Sequence, residues 1–186
     1  MIDLSALMWV LAILFSVLGW NRGWKRELIG TAGIVLALFA LFQFDAILRG
    51  TLLANVDASQ ALLIQIIIFA AVVFFAYQTR TVFGSELRSG GGGGGSGGGR
   101  SDYQNSVLGA ILGFINGYLI WGTLWYFIDI NEYPLSPYII APAPGSPADG
   151  ARNLLPLIVL GGGPGGNGDL LAVAVILLFI VVLILI

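Results

Sequence analysis

The chain contains no cysteine and no histidine, and each absence removes chemistry. Without cysteine there is no disulfide framework, no thiolate nucleophile and no Cys-ligated iron–sulfur cluster, and the redox compartment stays open. Without histidine the commonest metal ligand, general base and axial haem ligand are gone, so no cofactor or metal is expected. Charge is scarce too: Asp, Glu, Lys and Arg make up 10% of the sequence, against about a quarter in a globular protein. A net charge of −2 gives no reason to expect nucleic acid as a partner. The glycine clusters lack the strand–turn–helix context of a P-loop or dinucleotide fingerprint.

What is present is apolar. Hydrophobic residues reach 58% and the mean hydropathy is +0.93, which predicts a protein solvated by a lipid bilayer. Five runs approach the roughly 20 residues a helix needs to cross about 30 Å of hydrocarbon: Leu4–Trp20, Leu28–Leu48, Gln60–Thr79, Val107–Ile130 and Leu170–Ile186. Runs such as "LLIQIIIFAAVVFFAY" are continuous rather than alternating, which excludes barrel strands. The fold class is therefore all-α, a polytopic helical integral membrane protein with about five transmembrane helices. The first run lacks a basic n-region and a small-residue cleavage site and carries Asp3, so it reads as a retained helix rather than a signal peptide.

Six of the eight basic residues lie in alternate connections: Arg22, Lys25 and Arg26 after the first run, and Arg80, Arg88 and Arg100 after the third. Basic residues near helix ends mark the cytoplasmic side, which predicts an external amino terminus and an internal carboxyl terminus. Trp20 and Trp24 flank the first cluster and suit headgroup depth; the other tryptophans and Tyr126 read in the same way, as interfacial belt residues. The organisation expected is a four-helix membrane region (1–130) with a glycine-rich cytoplasmic tether (80–106), an external connection (131–169) and a final helix (170–186). The glycine run reads as a flexible tether, an artificial linker being the lesser alternative. The connection 131–169 holds all seven prolines and is expected to be extended and irregular. Its octet "NLLPLIVL" (Asn153–Leu160) is too short to span, and suits an interfacial dip or a partner.

Ionisable residues inside membrane helices are the default place to look for function. Only Asp45 and Asp129 come near, and both fall at outer helix ends, where interfacial closure is the plainer reading than a proton or ion site. Gln43, Gln65 and Asn116 are deeper and neutral, and single amides more often join helices than bind substrate. Gln43 and Gln65 sit at similar depth and are expected to bond to each other. Gly109, Gly113 and Gly117, at i, i+4 and i+8, form one helical face for close backbone contact. Gly30, Gly33, Ala37 and Ala40 make a comparable small face on the second run, and the first or second helix is the expected occupant of the glycine groove.

"RGWKRE" (Arg22–Glu27) followed by "NSVLGAILGFINGYLI" (Asn105–Ile120) resembles the colicin V production protein family, CvpA. Arg22, Gly23, Trp24, Arg26 and Glu27 match that family's first motif, and Gly109, Gly113 and Gly117 match the glycines of the second. Asn105 and Ser106 stand where that motif has Asp-Arg, and Asn116 where it has Arg. The resemblance covers roughly residues 1–130 and implies a multi-pass protein of the bacterial cytoplasmic (inner) membrane. It further implies a role in toxin production or envelope physiology, with no catalytic residue to carry over.

The residues themselves favour a non-enzymatic protein working through helix packing, an accessory or assembly subunit whose partners are the bilayer and other integral membrane proteins or further copies of itself. A small transporter or channel component formed by oligomerisation is the alternative, with Asn116 the one candidate for a polar ring. An intramembrane enzyme ranks third, without paired deep carboxylates.

Overall fold

The computed structural model describes residues 3–89, 98–163 and 165–185, with side chains described for 3–75, 103–163 and 165–184. Every element among them is a helix: α1 (Leu4–Arg22), α2 (Trp24–Gly50), α3 (Ala58–Ser89), α4 (Gly98–Ile130), α5 (Pro147–Arg152), α6 (Pro156–Gly161) and α7 (Asp169–Leu185). Four of these, α1 to α4, are long and apolar enough to cross a membrane. After Asp169 in its first turn α7 is apolar, and its 17 residues are the short end of the spanning range.

Helices α3 and α4 run further than the apolar pattern alone indicates, to Ser89 and from Gly98. An α-helix satisfies its own backbone, so it can continue past the hydrocarbon into water, and Glu, Leu and Arg are good helix formers. Most of the expected tether 80–106 is thereby helical, and the remainder, 90–97, lies outside the described residues.

The basic hairpin is tighter than a loop. Gly23 alone separates α1 from α2, at φ +81°, a conformation that side-chain-bearing residues rarely adopt. Arg22 ends α1, while Lys25 and Arg26 occupy the first turn of α2. Gly23 offers no side chain to cap α2, and Asn105 of α4 supplies the missing acceptor: the Trp24 N–H donates to its Oδ1 at 3.3 Å.

The expected glycine groove exists, and α1 fills it. A methyl group on Gly109 would run into the Gly19 carbonyl, one on Gly113 into the Phe15 carbonyl, and one on Gly117 would stand 2.8 Å from Ala12 Cα. The small faces that meet are therefore Ala12 and Gly19 on α1 with Gly109, Gly113 and Gly117 on α4, rather than the Gly30, Gly33, Ala37 and Ala40 face. On α2, Gly30 and Ala37 are buried while Gly33 is half-buried. On the side away from α4, α1 presents Val10, Ile13, Leu14 and Val17 outward, as a lipid-solvated helix must.

The proline-rich connection is more ordered than its composition indicates. Ser146 caps α5 by accepting from Asp149 N–H, and Pro147 takes the first helical position, where its missing N–H costs nothing. The octet "NLLPLIVL" enters α6 at Pro156 and docks on its own chain: Leu155, Pro156 and Leu157 are buried, and the Pro156 ring fits where Gly122 of α4 has no side chain. Burying those three apolar residues outweighs the extended preference of the flanking prolines. Behind α6 the glycine cluster folds back on itself, with Gly168 N–H donating to the Gly161 carbonyl at 3.1 Å. Its purpose is steric. Added Cβ atoms at Gly161 and Gly168 would each lie 2.7 Å from the Phe42 ring, on opposite edges, so the two glycines form a socket that seats Phe42 of α2 and fixes the start of α7.

Candidate functional site

Among the described residues the most buried charged side chain is Glu27, on the first turns of α2 immediately after the basic pair. It is 1% exposed. Glu27 and Thr31, one helical turn apart, face α4, where Asn116 is fully buried between them. Asn116 Nδ2 donates to Glu27 Oε2 at 2.8 Å and approaches the Glu27 carbonyl at 3.2 Å. The Thr31 hydroxyl lies 2.8 Å from Asn116 Oδ1 and 2.9 Å from the Glu27 carbonyl; with one proton it serves one acceptor at a time. From the end of α1, Arg22 brings Nη1 to 3.6 Å from Glu27 Oε1. A carboxylate, an amide, a hydroxyl and a guanidinium from three helices thus converge beneath the hairpin. Asn116 occupies this position because Gly113 and Gly117 let α4 wedge tightly against α1 while its neighbouring face meets α2.

At the other end, Gln65 of α3 does not reach Gln43. It accepts from Asn131 Nδ2 at 2.6 Å, and Asn131 also donates to the Phe127 carbonyl at 2.7 Å. Equal depth is not equal direction: Gln43 lies two residues past the buried Leu41, about 200° around the helix, and is exposed. The two interfacial carboxylates are both paired with arginine. Asp45 meets Arg49 at 2.9 Å along α2, and Asp129 at the end of α4 meets Arg152 of α5 at 2.8 Å, with Asp149 at 3.3 Å. Donating a hydrogen bond to the Asp129 carboxylate holds the Arg152 guanidinium above its ordinary range despite burial. Beside them the Tyr133 hydroxyl accepts from Trp125 Nε1 at 3.1 Å, and burial pushes its phenol up to about 12. Trp125 and Tyr126 are buried rather than belt residues. Trp20 is exposed and meets Tyr103 edge-on with centroids 5.7 Å apart, as an interfacial anchor does.

Of the sequence candidates, Asn116 and Arg22 are brought together, while Gln43 and Gln65 are not. Sequence reasoning named Glu27 only within the CvpA-like motif and passed over Thr31 and Asn131. Glu27 was legible as the one acid within the basic turn, four residues ahead of a threonine on the same helical face. Among the described residues no three of His, Cys, Asp and Glu gather as metal ligands. The arrangement defines a helical membrane protein whose polar groups tie its helices together. No protein family, curated protein or solved structure matches the chain.

Proposed function

We propose that this chain is a non-enzymatic multi-pass protein of the bacterial inner membrane, an accessory or assembly subunit that works through helix packing beside other integral membrane proteins. The observation that carries this reading is the use to which the deep polar side chains are put: Glu27, Thr31 and Asn116, and separately Gln65 and Asn131, engage one another across helices. A transport role by oligomerisation needs Asn116 on a pore-facing surface, and Asn116 is fully buried within one chain. The likeness of Arg22–Glu27 and Asn105–Ile120 to CvpA adds a role in toxin production or envelope physiology, resting on those short motifs alone. Purification in mild detergent followed by mass spectrometry of co-eluting chains tests the proposal. A defined complex with other membrane proteins supports it, and a lone homo-oligomer overturns it in favour of transport.

A further inference from the structure

At the end of the bundle opposite the basic hairpin, a cavity of about 230 Å³ opens between the last turns of α2, the end of α4 and the glycine loop that follows α6. Its wall includes Phe42, Gln43, Asp45, Tyr126, Phe127 and Asn167. We propose that this cavity is a binding site for an ammonium group, supplied by a zwitterionic phospholipid headgroup.

Four observations converge. First, Asp45 is the one charged residue in the wall, and its partner Arg49 stands one helical turn further out, both side chains about two-fifths exposed at 44% and 39%. A carboxylate and a guanidinium at that spacing match the ammonium and phosphate of a zwitterionic headgroup, each acid–base pair exchanging its internal partner for the ligand's. Second, Tyr126 is more than nine-tenths buried and lines the cavity, and among the described residues its hydroxyl makes no hydrogen bond. In the cavity wall that phenol can donate to or accept from a ligand. Third, Phe42, Tyr126 and Phe127 give the cavity aromatic walls, the surface that attracts a desolvated cation. The glycine socket around Phe42 holds one of those rings in place. Fourth, α4 and α6 bring their C-terminal ends to this region, and partial negative charge at helix C-termini favours a cation. The opposing N-terminus of α7 carries Asp169 in its first turn.

Neither the Gln43 amide nor the Asn167 carbonyl has a hydrogen-bond partner among the described residues, so two further acceptors stand at the rim. Gln43, exposed in an apolar span and without the bond expected from sequence, thereby acquires a role. The site is independent of the accessory-subunit reading, since it needs only this chain.

The test uses the full chain in nanodiscs, where native mass spectrometry reads lipid retained and thermal melting reads stabilisation. Phosphatidylethanolamine is expected to be retained at least about tenfold better than phosphatidylglycerol, which offers no ammonium. Asp45→Asn and Tyr126→Phe, both close to isosteric, should each erase most of that preference while leaving the melting temperature in phosphatidylglycerol unchanged. Free phosphoethanolamine serves as the second arm: protection by it as well as by lipid assigns the ammonium site to soluble amines too, and protection by lipid alone ties it to the bilayer. Equal retention of the two lipids, or an undiminished preference in both variants, overturns the proposal.

Discussion

Asn116 carries three of the contacts that hold the buried cluster together, and removing it strands groups that burial has already dehydrated. Asn116→Ala is expected to destabilise the fold by about 1–3 kcal/mol, the ordinary cost of leaving a buried polar group without its partner. Asn116→Asp should cost more, because it sets a second carboxylate where the amide now donates to Glu27 at 2.8 Å. Denaturant titration in detergent measures both; an Asn116→Ala protein as stable as the parent dismisses the network as a stabilising element. Tyr133 offers a pH handle. Its phenol is raised to about 12 from 10.0 because the folded state disfavours the charged form, so its contribution is whole below pH 10 and is lost as pH climbs through the interval to 12. Melting temperature should therefore fall over that interval, and less steeply in Tyr133→Phe.

The helices themselves were legible because hydropathy responds to the bilayer: the first four apolar runs lie within α1 to α4, and the fifth lies within α7 up to Leu185, Ile186 falling outside the described residues. What hydropathy could not give was azimuth. Gln43 and Gln65 share a depth but not a facing, and the true partner of Gln65, Asn131, sits one residue beyond the end of α4. The glycine stripe was legible as a contact face because i, i+4 spacing survives in any straight helix, yet its occupant was ambiguous between α1 and α2. Composition misled at α6, where flanking prolines masked an apolar octet able to bury itself. The packing of α4 on α1 leads to a sharp expectation: at Gly113 the intruding atom is backbone, the Phe15 carbonyl, which cannot rotate away. Gly113→Leu should cost roughly 1–3 kcal/mol or more through overpacking, read as a lower melting temperature and a lower yield of folded protein. An unchanged melting temperature contradicts the packing.

Across the whole molecule, the two ends differ in chemistry as well as in position. One end carries Arg22, Lys25 and Arg26 around a one-residue turn, and positive residues near helix ends are held on the cytoplasmic side. The opposite end gathers Asp3, which lines one cavity with Ile140 and Ser146, together with α5, α6 and the glycine loop. At that end the two arginines, Arg49 and Arg152, are neutralised by Asp45 and Asp129, so they offer little competing pull on orientation. The hairpin end should accordingly face the cytoplasm and the Asp3 end the exterior, with α7 returning the carboxyl terminus inward. Because the chain has no cysteine of its own, single replacements report cleanly. Lys25→Cys and Ala143→Cys, both at exposed positions, should react with a membrane-impermeant maleimide from opposite sides: Ala143→Cys in intact cells, Lys25→Cys only after the membrane is opened. Labelling of both from one side is incompatible with α1 crossing between them, and labelling in the reversed sense means that the acidic end, rather than the basic hairpin, is retained inside.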